Sequence, residues 1–327
     1  MENPLILSLG SINADLRFEI EQPFEAAVTA RASGFSQKGG GKAANVAYFT
    51  HRLGVPTKLL GQVGDDDFAA VALGSLMQAG LALDEVFVAP NSITGVAVVA
   101  VPPDGNKSIL SAPNANMNWE PPAVEKIVRA IEDAPDRSLL VADLEVPRSV
   151  LQAAFQAAEE RGFRIVVDPT FADQIERAEL GRFCAVSPNQ QEAADILGME
   201  ISDQADAVRA AIEFNALGVE IACVRLADGG CVLSRGKDQT TIRAPAVEVV
   251  DKTGAGDAFV AALAVALLEN KSAYEAACWG VAAASFSVGK KGTQESYPTR
   301  AELDRMRDAV RAKNDRSDPG KDAAEAQ

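Results

Sequence analysis

The sequence predicts an α/β fold: a doubly wound, mostly parallel sheet flanked by helices, with a small β-sheet projecting from it as a lid. Three observations predict it. From about Ser138 onward, short β-rich runs alternate with longer helical patterns, the rhythm of successive βαβ units. Two segments, 14–37 and 93–112, break that rhythm, lack helical periodicity and read as short antiparallel strands. Apolar residues make up 47% of the 327 positions, enough for a sizeable core.

In chain order, PLILSL (4–9) reads as the opening strand, and a helix at about 42–53 leads to a second strand, TKLLGQV (57–63), in the same sheet. The segment 93–112 holds TGVAVVAVPP and NKSILSAP around the turn PPDGN, a strong hairpin signal. Further strands are expected at 138–142, 163–167, 182–186 and 220–226, with helices at 147–161, 189–197 and 204–217 between them. A polar loop at 250–257 opens a long apolar helix running to about Glu269. One domain spanning 1–312 is expected, and the polar stretch 313–327 reads as a disordered tail.

The formal charge of −15 opposes binding to nucleic-acid phosphates or anionic membranes. An anionic ligand would therefore need a local cluster of donors. One histidine and four scattered cysteines without CxxC spacing offer no zinc site. The thiols read as buried small residues of a reducing compartment, and His51 as a surface or packing residue. No signal peptide or membrane span is apparent, so a cytoplasmic protein is expected.

Ligands of open α/β sheets bind at the carboxyl ends of the strands. The residues there are polar: Ser11, Asn13 and Asp15, then Asp143 and Glu145, Asp168, Asn189 and Glu192, and Arg225 with Asp228. Any one of these suits a helix cap or a turn; the set suits a polyhydroxylated ligand and a metal-bound phosphate. In Val250-Asp251-Lys252-Thr253-Gly254-Ala255-Gly256-Asp257-Ala258-Phe259, small residues open a helix. They let backbone N–H groups approach an anion where the helix dipole favours one. Asp257 then sits beside that cradle as a candidate base. Lys38-Gly39-Gly40-Gly41-Lys42 before the first helix again permits close approach, with Asn45 one turn in. A Walker A loop fails because Ser36 stands at its first glycine and Ala43 follows Lys42; a Rossmann fingerprint fails at Phe259. DKTG also occurs around the phosphorylated Asp of P-type ATPases, but those are membrane proteins.

Taken in order, these stretches resemble the PfkB family of carbohydrate kinases, and ribokinases above all. GGGKAANVAYFTHRLGVPTKLLGQVGDDDFA (39–69) matches the first family signature and DKTGAGDAFVAAL (251–263) the second. GSINADLRF (10–18), NQQE (189–192) and VGKKGTQESYP (288–298) look like the sugar-contacting opening, the NxxE motif and the nucleotide and cation segment. The resemblance implies that Asn13, Asp15, Gly40, Gly41, Asn45 and Glu145 bind a sugar. It implies an anion hole from Gly254, Ala255 and Gly256, with Asp257 as general base. Asn189 and Glu192 would act near Mg²⁺ and the phosphates of ATP, and Arg225, Ala227 and Gly230 would contact the nucleotide. Asp251, Thr253, Gly292 and Ser296 would surround a monovalent cation, typically K⁺. Ala43 replaces a glycine common in ribokinases, and Arg225 and Ala227 stand where Thr and Gly are usual. The small sheet would serve as lid and as homodimer contact. The implied reaction is ATP-dependent phosphorylation of a small sugar, ribose first. Its alternatives are a nucleoside, fructose or 2-keto-3-deoxygluconate as acceptor, or a non-catalytic sugar or nucleotide sensor on the same fold.

Overall fold

Apolar runs on alternate elements force a layered arrangement, and the computed structural model, which describes residues 3–21, 31–102 and 108–315, has an α/β fold. It holds a nine-stranded, mostly parallel sheet, a smaller four-stranded sheet and flanking helices. The chain divides into two compact units, 1–51 with 55–165, and 52–54 with 166–327.

The first unit contains β1 (Ile6–Leu9), β2 (Asn13–Ile20), β3 (Ala32–Gly40), α1 (Lys42–Arg52) and β4 (Thr57–Gly64). It continues with α2 (Asp67–Gln78), β5 (Val86–Ala89), β6 (Gly95–Val101), β7 (Ser108–Ala112), α3 (Pro121–Glu132), β8 (Leu139–Asp143) and α4 (Arg148–Glu160). Its share of the main sheet runs β8-β1-β4-β5, all parallel. Strand β1 is buried on both faces, which is why it reads as a continuous apolar run without alternation. Ala43, Ala44 and Ala47 of α1 pack with Ala72 and Leu76 of α2 on Ile12, Leu59 and Val63. The many alanines bring helix backbone close to the strands.

The four-stranded sheet, ordered β3-β2-β6-β7, comes from the two segments that break the βαβ rhythm. Within each segment the pairing is antiparallel, as expected, but β2 and β6, which join the segments, run parallel. Each hairpin orders itself locally, whereas the long-range pair, whose direction no local pattern predicts, is set by connections lying in other layers. Most of the expected turn PPDGN lies outside the described residues.

The second unit contains β9 (Arg164–Asp168), which begins at the boundary, then β10 (Ala185–Val186), α5 (Gln190–Leu197), α6 (Gln204–Ala216) and β11 (Ile221–Arg225). β12 (Cys231–Arg235), β13 (Asp238–Ile242), α7 (Ala255–Leu268), α8 (Ala273–Ser287) and α9 (Arg300–Asp315) follow. Here the strands run β13-β12-β11-β10-β9, parallel through β9, β10 and β11 and antiparallel beyond. The strand expected at 182–186 shrinks to Ala185–Val186, because Arg177–Arg182 coil into a 3₁₀ turn fixed by a capping box between Glu176 and Glu179. Helix α9 continues through Asp315, three residues beyond the expected end of the ordered chain, tied down by Asn314, whose side chain accepts from Arg243 N and donates to Arg243 O. The rest of the tail, 316–327, lies outside the described residues.

Helix α7 is buried from Asp257 to Leu268 and packs on α8, itself largely buried. A helix apolar on every side has no solvated face. All four cysteines are free; Cys223, Cys231 and Cys278 are buried, and Cys184 is half-buried. No helix among the described residues is long and apolar enough to cross a membrane.

Phe259 of α7 fits against Gly280 of α8, where a Cβ would lie 2.8 Å from the ring. Gly280→Ala should therefore overpack this contact and destabilise the fold by about 1–3 kcal/mol. Urea denaturation reads this directly, and an unchanged midpoint would show that the ring has room to move.

Candidate active site

In the first unit, the polar residues after β1 are built by backbone geometry. Asp143 at the end of β8 is buried, and its carboxylate accepts the N–H groups of Ser11 at 3.0 Å and Glu145 at 2.8 Å. Burial, then the neighbouring Glu145 charge, pushes its pKa well above the usual carboxylate range, against the two backbone donors and Lys42. Ser11 in turn accepts from the Lys42 amide through its hydroxyl, at 2.9 Å, and from the Ala44 amide through its carbonyl. The start of α1, which carries Asn45, is thereby tied to the loop after β1.

Asn13 and Gly40 are register partners across β2 and β3. Gly40 has no side chain because Asp15 occupies its space: a Cβ there would lie 2.3 Å from a carboxylate oxygen. Gly41, at φ +92°, turns the chain into α1 so closely that a Cβ would fall 2.5 Å from the Ser11 carbonyl. The structure thus brings Asn13, Asp15, Gly40 and Gly41 together, with Asn45 buried on the first turn and a half of α1. Glu145 is half-buried and joined to the group through Asp143.

Sequence reasoning missed Asn116. Its Oδ1 accepts the Ile12 N–H at 3.0 Å, and its Nδ2 donates to the Ile12 carbonyl and, at 2.7 Å, to Asn13 Oδ1. The Ile12 backbone fixes which way the Asn116 amide points, and that fixes the Asn13 amide in turn. One Asn of the three at 114, 116 and 118, in a 3₁₀ turn and 104 residues from its partner, carries no periodic signal.

In the second unit, Gly254 caps α7 at φ +73°, a left-handed turn that suits glycine. Its carbonyl accepts the Tyr297 hydroxyl at 3.2 Å. The Ala255 amide donates to Lys252 O at 3.4 Å, whereas the amides of Gly254 and Gly256 have no acceptor among the described residues. Asp257 follows on the first turn, 6% exposed.

Arg225 ends β11 and reaches this turn. Its Nη2 donates to Asp168 Oδ1 at 3.0 Å and to Glu192 Oε2 at 3.1 Å. Burial works against its charge, but Asp168, Glu192 and Asp257 outweigh that and hold its pKa above the ordinary arginine value. Asn189 is the N-cap of α5, in a reciprocal capping box with Glu192, so these two residues have structural work as well as any role with phosphate. Ala227 is exposed, its amide donating to Gln190, while Gly230 is buried with its amide on Asp228 Oδ1.

Asp251, Thr253 and Gly292 come together: Asp251 Oδ1 accepts from the Thr253 amide and hydroxyl, and Oδ2 from the Gly292 amide. Ser296 instead closes its own loop, bonding Ser287 Oγ and the Thr293 carbonyl at 2.6 Å each. Among the described residues no three His, Cys, Asp or Glu side chains gather as a metal cage.

Residues 3–300 match the pfkB family carbohydrate kinase model. The chain belongs to that family. It is 33% identical to the ribokinase of Haemophilus influenzae, covering 90% of this chain and 95% of that one. The Arabidopsis thaliana ribokinase is also 33% identical, over 91% of this chain and 79% of its own. The structure of the Arabidopsis ribokinase complexed with ribose and ATP superposes with a TM-score of 0.81 at 31% identity, covering 94% of this chain and 99% of that one.

Replacing Asn116 by Leu would strand the Ile12 amide and carbonyl and Asn13 Oδ1. A loss of at least about 1–3 kcal/mol is expected, the usual penalty for a single buried polar group left unpaired. Thermal or urea unfolding measures it; wild-type stability would refute the bracing role.

Proposed function

We propose that this protein phosphorylates the primary hydroxyl of ribose with ATP, giving ribose 5-phosphate and ADP, with Asp257 as general base. The single observation that supports it best is the start of α7: acceptor-free amides at Gly254 and Gly256 with a buried carboxylate one residue on. Phosphoryl transfer needs positioning and charge stabilisation more than covalent chemistry. Asp257 accepts the hydroxyl proton as that oxygen attacks the γ-phosphorus. The helix-start amides stabilise charge on the transferring group.

Asn13, Asp15, Gly40, Gly41, Asn45 and Glu145 bind the sugar in this reading. With its Oδ1 held by Asn116, Asn13 offers N–H donors to sugar oxygens, while Asp15 and Glu145 supply acceptors. Such a mixture suits a small polyol. The nucleotide contacts are Asn189, Glu192, Ala227 and Gly230, with Arg225 at the γ-phosphate that ATP carries and ADP lacks. The donor set at 189 and 192 is oxygen-rich and hard, which fits Mg²⁺ carried on ATP phosphates; the ion would neutralise phosphate charge. One carboxylate with hydroxyls and carbonyls at Asp251, Thr253, Gly292 and Ser296 fits a monovalent cation such as K⁺. The four-stranded sheet acts as the lid that excludes water, and a homodimer forms through it. One kinase domain over 1–312, acting in the cytoplasm, completes the reading.

A coupled assay of ADP release across ribose, 2-deoxyribose, fructose, 2-keto-3-deoxygluconate and nucleosides, with and without K⁺, tests this. Ribose should give the highest kcat/KM. Asp257→Asn should fold normally and lose about 10²–10⁴ in kcat. Near-wild-type turnover by that variant would remove Asp257 from the mechanism, and absence of turnover with every acceptor would favour a sensor.

A further inference from the structure

We propose that Arg225 is a catalytic residue of this kinase, donating from Nη1 to the phosphoryl group as it is transferred at the start of α7. The inference rests on the kinase reading and concerns what Arg225 does within it.

An arginine serving only to neutralise buried carboxylates would present its fork edge to them, two parallel N–H groups to one carboxylate. Arg225 does not. Asp168 and Glu192 both converge on Nη2, while among the described residues neither Nη1 nor the buried Nε has a hydrogen-bond partner. Buried donors are rarely left unpaired in native proteins without a reason. Nη1 lies against the first turn of α7: a Cβ on Gly256 would fall 2.1 Å from it. The missing side chain at 256 is the space this group fills. The Gly256 amide, also without an acceptor, and Arg225 Nη1 are therefore two unpaired donors at one residue, next to the Asp257 carboxylate. The side chain is 14% exposed, so it is held in place and still reachable from one direction.

This arrangement has the form of a preorganised anion site. Two carboxylates hold the arginine from behind, so its orientation is set before substrate binds, which is what electrostatic stabilisation of a transition state requires. A planar guanidinium fits the equatorial oxygens of a transferring phosphoryl group. Charge there grows over that group as transfer proceeds, so the contact should strengthen between ground state and transition state. It should raise kcat more than it tightens ATP or sugar binding.

Calorimetry with ribose present, comparing ADP alone with ADP plus aluminium fluoride, a mimic of the transferring phosphoryl group, tests this. Wild type should bind the second mixture far more tightly. Arg225→Met should keep the affinity for ADP, lose most of the gain from aluminium fluoride, and lose about 10²–10³-fold in kcat, the usual effect of one oxyanion donor. Because that variant orphans two carboxylates, Arg225→Met with Asp168→Asn is measured beside it and should behave alike. Retention of the aluminium fluoride gain in either folded variant would overturn the proposal, as would an equal loss of ADP affinity. Failure of both variants to fold would overturn it too, leaving the arginine a structural role. If wild type itself shows no gain and no sugar-dependent turnover, the kinase reading fails instead.

Discussion

The burial of α7 is the constraint on which the second unit depends. From Asp257 to Leu268 every side chain is buried, so the helix cannot slide or rotate without exposing apolar surface. Its first turn is therefore fixed in place. The N–H groups of a first turn have no partners within the helix, and here the chain meets them with glycine at 254 and 256, not with a side-chain cap. An apolar helix interior thus holds a polar, anion-seeking end rigidly, and Asp257 marks the border between the two.

Missing side chains do as much as present ones in both units. Gly40 yields to the Asp15 carboxylate, Gly10 to Asp143 and Gly256 to Arg225, each with a hypothetical Cβ within 2.3 Å of the intruding group. At these positions glycine is a matter of room for a charged neighbour. The glycine run 39–41 and the Gly-Ala-Gly 254–256 therefore admit charged side chains directly against the backbone that opens a helix. The cost in chain flexibility is offset by burial of the helices that follow, α1 and α7.

Much of this was readable in the sequence, for local reasons. The alternation after Ser138 placed β8, α4, β9, α5, α6 and β11 to within a few residues, since each carries its own hydrophobic period. The two segments that broke the rhythm do form the second sheet, and the loop before Ala258 does open an apolar helix. What escaped was non-local. The parallel pairing of β2 with β6 depends on connections through other layers. Arg225 joins Asp168 and Glu192 across 57 and 33 residues; each was visible as a polar residue at a strand end, but not their convergence on one nitrogen. Asn189 and Glu192 show a limit of another kind, because an N-cap with its reciprocal Glu and a phosphate-site motif use the same residue types at the same spacing.

Product identity tests the central claim most directly. Phosphorus NMR of the protein with ATP and ribose should show a phosphomonoester on C5 of ribose growing in step with ADP. Inorganic phosphate in place of that ester, or an ester on another carbon, would contradict an account in which Asp257 deprotonates the primary hydroxyl as it attacks.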